Sequence, residues 1–220
     1  MSAAHPVPPG DDPFAAITTA LHQRGWSVQT GFVDAELSRA LAWQAHRHWQ
    51  QGAFRRAGIG HGGDHTIRPE IRSDRVLWLD ELPATPQQDA YLALLARLRE
   101  AVNRRLLLGL FDFEGHYATY PVGSFYRRHL DRFQDGGLRT LTAILYLNPE
   151  WTDGDGGQLR IHLPDGGHRD IAPEAGTLVT FISAEIEHEV LPTRRERLAI
   201  TGWFRRRGDT TPALGTVSLP

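Results

Sequence analysis

The chain has 220 residues, 40% of them hydrophobic and 23% charged, which is enough apolar material for one full core and too little for a second independent domain. A formal charge of -2 and a pI near 6.6 give no global attraction for nucleic acid or for a membrane surface, so neither is expected as a partner. Zero cysteines exclude disulfides, thiolate zinc sites and thiol nucleophiles together, so any metal has to be held by imidazole and carboxylate groups.

Residues 1–11 are small, polar and proline-rich and are expected to form a disordered lead-in. No stretch reaches the ~18 apolar residues of a membrane span and no signal-peptide pattern is present, so a soluble cytoplasmic protein is expected. Asp12 is placed to cap a helix with Pro13 at its first position and Gly25 just past its end, and Asp34 to cap a second running to about Gln51 before Gly52. Gly52, Gly58, Gly60, Gly62 and Gly63 then mark a mobile loop over 52–70, either a lid or a plain surface excursion. A third helix opens at Thr85 and Pro86, carries Leu94, Leu95, Leu98, Val102 and Leu106 at helical spacing, and is expected to close at Gly109.

From His116 the apolar period changes from helical to alternating. The runs near 116–121, 125–130, 138–147, 158–163, 168–172, 176–182, 187–191 and 197–204 predict about eight short strands, with Asp165-Gly166-Gly167 as a tight turn. Helices over 13–109 followed by strands over 116–204, with no βαβ alternation, predict one domain over 12–204. It is mainly β: a double-stranded β-helix of jelly-roll type, braced by N-terminal helices. Residues 205–220 are left as a C-terminal tail, and Arg205-Arg206-Arg207 is too short a basic run to argue for nucleic acid.

Within 197–204, Arg197, Ala199, Thr201 and Trp203 share one strand face, while Leu198, Ile200 and Phe204 share the other and are expected against the helices. In 139–147 the same alternation sets Thr142 and Tyr146 against Leu141, Ala143, Leu145 and Leu147. An arginine pointing between the sheets, into a small pocket with polar walls, follows from that pattern.

Two histidines and one carboxylate on one face of an octahedron hold Fe(II) with open positions for oxygen chemistry. Residues i and i+2 of a strand point the same way, so His129 and Asp131 can reach one ion, and His188, 59 positions on, can return beside them on another strand. A second His-x-Asp, His168-Arg169-Asp170, follows a tight turn only 20 positions before His188, which leaves little chain for the crossing. His61 and His65 lie among glycines, His46 and His48 diverge on a helix, and His5, His22, His116 and His162 are isolated and more readily read as surface or core. Arg197, nine positions after His188, then supplies what a chelated keto diacid needs. A buried guanidinium requires an anion, and its planar fork matches a carboxylate.

At these residues the sequence resembles the prolyl 4-hydroxylase domain family of Fe(II)/2-oxoglutarate oxygenases, nearest its oxygen-sensing animal branch and bacterial relatives. The resemblance runs over about 70–204, and its most specific piece is the segment from His188 through Pro192 and Arg197 to Trp203 and Phe204. Tyr120-Pro121, Tyr126, His129-Leu130-Asp131, Leu145-Tyr146-Leu147-Asn148 and Gly156-Gly157-Gln158-Leu159-Arg160 match in order. It implies Fe(II), 2-oxoglutarate and O2, with ascorbate as the reductant in vitro. His129, Asp131 and His188 would be the metal ligands, and Arg197, Tyr146, Thr201 and Tyr120 would bind the co-substrate. Arg72, Asp74, Trp78, Arg139, Tyr126 and Trp203 would face the substrate, with Arg139 an ionic partner for Asp74, and Gly52 to Glu70 would be the lid. The implied partner is a protein bearing a target proline, with elongation factor Tu a candidate through the bacterial branch. Ser73 stands where the family has glycine, and the segment between Asp131 and Arg139 differs in length. An oxygenase of a small molecule or a nucleic-acid base, and a non-catalytic jelly-roll binding module, are the competing readings.

Overall fold

The computed structural model describes residues 12–58, 66–131 and 138–207. The expectations for the lead-in 1–11, for the middle of the 52–70 loop, for the 132–137 segment and for the tail beyond 207 lie outside these residues.

Capping side chains start the three helices. The Asp12 carboxylate accepts from the Phe14 amide ahead of α1 (Pro13–Arg24), which ends at Gly25 in the left-handed region, φ 79°. Asp34 accepts from the Leu37 amide at 2.7 Å to open α2 (Ala35–Gln50), and Thr85 accepts from Gln88 to open α3 (Pro86–Leu106). The end of α3 differs from expectation, because the left-handed residue is Leu107 (φ 54°), two positions before Gly109. Asn103 accounts for the early stop. Its side chain bonds both the amide and the carbonyl of Leu110 at 2.7 Å, which turns the chain straight into a strand.

Eleven strands are described: β1 (Trp26–Gln29), β2 (Arg55–Arg56), β3 (Arg75–Trp78), β4 (Leu110–Tyr120), β5 (Tyr126–His129), β6 (Arg139–Tyr146), β7 (Leu159–His162), β8 (His168–Ile171), β9 (Leu178–Ile182), β10 (His188–Val190) and β11 (Arg197–Arg206). They form an antiparallel seven-stranded sheet in the order β1-β9-β6-β11-β4-β3-β2, facing a four-stranded sheet in the order β5-β10-β7-β8. That is the jelly roll the alternation predicts. The helices cover the outer face of the large sheet, where Leu141, Leu145, Leu198, Ile200 and Phe204 pack with Ile17, Leu95, Leu98 and Val102. Its inner face gives Ala118, Ile144, Tyr146 and Ala199 to a second core shared with Leu159, Ile161 and Val190 of the small sheet.

Three further boundaries depart from expectation. β4 begins at Leu110, well before His116, because its partner β11 runs on to Arg206 and pairs with it along its whole length. Arg205 is therefore not part of a solvated tail; its guanidinium takes both oxygens of Asp112 at 2.9 and 2.7 Å. The start of the glycine-rich loop is also structured, since β2 pairs with β3 and both Phe54 and Ala57 are buried.

At the centre of the large sheet Gly202 faces Gly115 across β11 and β4, and the buried ring of Phe113 lies over both. A Cβ on Gly202 would sit 2.5 Å from the Glu114 carbonyl oxygen and collide with the Phe113 ring. Gly202→Ala is expected to lower stability by about 3 kcal/mol through overpacking. Urea unfolding should show it as a lower midpoint at unchanged slope.

Candidate active site

The metal cluster is a product of strand register. β5 and β10 are neighbours in the small sheet, and their pairing sets His129 opposite His188. The two imidazoles lie 4.2 Å apart between centroids, and Asp131 follows just past the end of β5. His129 Nε2 is 3.4 Å from one Asp131 oxygen and His188 Nε2 is 3.8 Å from the other. One ligand atom from each of the three lies within 4.8 Å of the others, as a single divalent ion requires. Among the described residues this is the group that can hold a metal.

The surroundings orient each ligand. His129 Nδ1 lies 2.7 Å from the Arg127 carbonyl oxygen and His188 Nδ1 lies 3.0 Å from that of Ile186. Both Nδ1 atoms therefore carry the proton and donate it, which leaves both Nε2 lone pairs free to take an ion. Thr142, fully buried, donates to the second Asp131 oxygen at 2.8 Å and itself accepts from Ser183 at 2.9 Å. Tyr126 stacks on His129, and Phe181 packs on His188. Burial holds His188 down at about 4, reinforced by His129, so it is neutral and free to ligate at neutral pH. Burial alone would raise Asp131, but His188 and then His129 outweigh it and hold the carboxyl well below the usual range.

Arg197 lies on the same cavity, which has a volume of about 480 Å³. Its side chain is 1% exposed, its Nε donates to the Gly157 carbonyl at 2.8 Å, and its guanidinium rests against the rings of Tyr120 and Tyr146 at 4.8 and 5.0 Å. Among the described residues no carboxylate pairs with it. A buried cation without a counter-charge is costly, and the Tyr146 hydroxyl beside it is also buried without a partner. Both deficits fit the far carboxylate of 2-oxoglutarate. Gly156 and Gly157 matter here because the chain passes so close: a Cβ on Gly157 would lie 3.1 Å from the Arg197 side chain, and one on Gly156 2.5 Å from the Pro192 carbonyl oxygen. Both also have positive φ, 68° and 67°.

The remaining sequence-predicted residues divide by position. Tyr120, Thr201, Arg72, Asp74, Tyr126, Arg139 and Trp203 all line the cavity. Tyr146 packs against the Arg197 guanidinium, and Trp78 reaches the wall through His116 and Trp203, its ring 4.9 and 6.4 Å from theirs between centroids. The expected Asp74–Arg139 pair gives way to two others. Arg72 takes both Asp74 oxygens at 2.8 and 2.6 Å, while Arg139 lies on the buried carboxylate of Glu114 at 2.5 Å and over the Trp203 ring at 3.5 Å. Asp74 and Glu114 are each buried, and each carboxylate is met by the cation beside it. His168 and Asp170 fall on the exposed edge strand β8, and Asp170 is bonded to Arg160 at 2.8 Å. Glu114 escapes the sequence reading and His116 enters it only as an isolated histidine, because a lone charged or imidazole side chain carries no pattern, although both share the alternation of β4 with Ala118 and Tyr120.

Two histidines and a carboxylate at the mouth of a jelly roll, with an uncompensated arginine on the same cavity, define a non-haem iron oxygenase. The family model for the 2OG-Fe(II) oxygenase superfamily matches residues 115–205. A prolyl-4-hydroxylase from Pseudomonas putida is 48% identical, with a TM-score of 0.81 over 89% of this chain and 100% of that one. A prolyl hydroxylase from Trichoplax adhaerens, solved with a hypoxia inducible factor oxygen degradation domain peptide fragment, is 28% identical, with a TM-score of 0.76 over 87% and 88% of the two chains. The hypoxia-inducible factor prolyl hydroxylase of Caenorhabditis elegans is 30% identical over 90% of this chain and 29% of its own length. Egl nine homolog 1 of Homo sapiens is 33% identical over 86% of this chain and 45% of its own length. The chain thus spans less than half of these two curated relatives. It belongs to the 2OG-Fe(II) oxygenase superfamily, within the branch of the prolyl hydroxylases, and is an enzyme that uses Fe(II), 2-oxoglutarate and O2.

Removing the Thr142 hydroxyl while keeping its shape should free the Asp131 carboxylate to turn. Thr142→Val is expected to weaken binding of Mn(II), an ion of the same charge, roughly 10- to 100-fold by calorimetry. Acid should also unfold the metal-free protein through His188. Between 6.5 and about 4 the unfolded chain binds a proton at this residue that the folded chain refuses, so stability falls as pH falls through that window. The thermal midpoint of the metal-free protein should drop over that range, and less steeply in His188→Gln.

Proposed function

We propose that the protein hydroxylates C4 of a prolyl residue in a protein substrate, converting 2-oxoglutarate and O2 to succinate and CO2 as one oxygen atom enters the C–H bond. The observation that carries this reading is Arg197, buried without a counter-charge on the same cavity as the His-Asp-His cluster. Fe(II), when bound, supplies the activation of O2. The protein's own groups do the positioning. His129, Asp131 and His188 present three ligand atoms from one side, and the Thr142–Ser183 pair keeps Asp131 turned toward the ion. Arg197 takes the distal carboxylate of 2-oxoglutarate in its planar fork, with the Tyr146 hydroxyl behind it. Ala118, Ile144, Leu159 and Val190 wall the space between arginine and metal with apolar surface, which keeps water away from the reacting centre.

A peptide substrate is supported by the Trichoplax relative, which was solved with one, and by a cavity whose wall carries Arg72, Tyr126, Arg139 and Trp203 besides the metal cluster. Elongation factor Tu is the first protein to try, in keeping with a cytoplasmic enzyme.

The test combines turnover with substrate discovery. Purified protein with Fe(II), ascorbate and 2-oxoglutarate should release succinate, and His129→Ala should abolish the release. Arg197→Ala should raise the 2-oxoglutarate concentration for half-maximal rate about a hundredfold, the scale for stripping one partner from a buried charge pair. Mass spectrometry of an extract of cells lacking the protein, treated with the enzyme, should show one added oxygen on proline. Succinate release with no oxidised proline would leave the oxygenase standing and remove the prolyl substrate.

A further inference from the structure

His116 is an unassigned polar group on the cavity wall, facing inward from β4. It is 3% exposed, and its ring is held between Trp78 and Trp203 at centroid distances of 4.9 and 5.5 Å. Burial, and then the guanidinium groups of Arg72 and Arg139, hold it well below the ordinary histidine range, so it is neutral and carries one ring proton. Its Nδ1 is shut away from solvent with no hydrogen-bond partner, whereas Nε2 is neither bonded to any described residue nor sealed in the same way, so Nε2 is the ring atom open to the cavity. A proton on Nδ1 would leave a buried donor without an acceptor, a rarer and costlier defect than an unfilled lone pair. The proton therefore belongs on Nε2, aimed into the cavity.

The groups beside it narrow what that N–H can bind. Arg72 and Arg139 are already matched to Asp74 and Glu114, so this part of the wall offers no spare full charge for an anion. A prolyl residue has no backbone N–H, so the target position of a peptide presents only carbonyl oxygens to the wall around it. An imidazole acceptor would find nothing there, whereas an N–H donor finds a partner.

We infer that His116 is held as the neutral Nε2–H tautomer and that this N–H binds a backbone carbonyl oxygen of the substrate peptide, making His116 a specificity-determining residue of the enzyme. The inference rests on the prolyl-peptide reading above. His116 is not a metal ligand and is not grouped with the three that are.

The test uses the full-length enzyme and, as probe, the extract of cells lacking this protein, in a dilution series followed by mass spectrometry of proline oxidation. His116→Phe keeps an aromatic ring between the two tryptophans and removes the donor. It should need roughly tenfold more extract for half-maximal proline oxidation, the scale of one lost hydrogen bond, while the half-saturating 2-oxoglutarate concentration moves less than twofold. His116→Gln, which restores an N–H near the position of Nε2, should come back to within about threefold of wild type. Nitrogen-15 spectra of the histidine-labelled, Zn(II)-loaded enzyme should show Nε2 protonated and Nδ1 bare. The assignment is overturned if His116→Phe leaves extract half-saturation unchanged, if 2-oxoglutarate half-saturation rises in parallel, or if Nδ1 carries the proton. A wild-type enzyme that releases succinate and oxidises no proline overturns it as well, but through the substrate reading and before any variant is made.

Discussion

The pairing of β5 with β10 is the constraint on which the rest depends. Neither strand is long, four residues and three, yet their antiparallel register is what sets the two imidazoles side by side with Asp131. A shift of one residue would turn either histidine to the outer face of the small sheet. Pairing of β10 with β7 on its other side, and the outer-face ion pair of Arg128 with Glu187, hold that register in place. The small sheet is thus a ligand clamp, and the large sheet is the platform on which it closes.

The two sheets divide the chemistry between them. The candidate metal ligands come from the small sheet and its edge, while the arginine proposed for the co-substrate and most of the aromatic wall come from β4 and β11 of the large one. Polar links cross between them at few places. The most consequential is Thr142, on the large sheet, which grips the carboxylate of Asp131. It couples the outward-facing packing of β6 against the helices to the orientation of a ligand on the opposite layer.

Much of this could be read without coordinates. Strand alternation placed Arg197 and Tyr146 inside and Leu198, Ile200 and Phe204 against the helices, because a two-residue period leaves little choice once one face is apolar. Spacing picked His129, Asp131 and His188 over the second His-x-Asp. What escaped had no local pattern to carry it. β1 is four residues long and exists because the edge of β9 recruits it. Leu107 ends α3 because Asn103 reaches Leu110, a contact that no rule of propensity anticipates. The exchange of partners among Arg72, Asp74, Arg139 and Glu114 depends on which cation the fold brings beside each buried carboxylate, which a linear order of residues does not contain.

A last consequence comes from β11. Arg197, Thr201 and Trp203 stand on a single strand, all on one face, over a length of about 20 Å at ~3.3 Å per residue. The intervals between the guanidinium, the midpoint and the indole are therefore quantised by the pleat. Descendants of this chain can retune the chemistry by exchanging side chains at these stations, but inserting or deleting one residue between them would invert the guanidinium into the helix-packed layer. This strand can change its lettering and not its count.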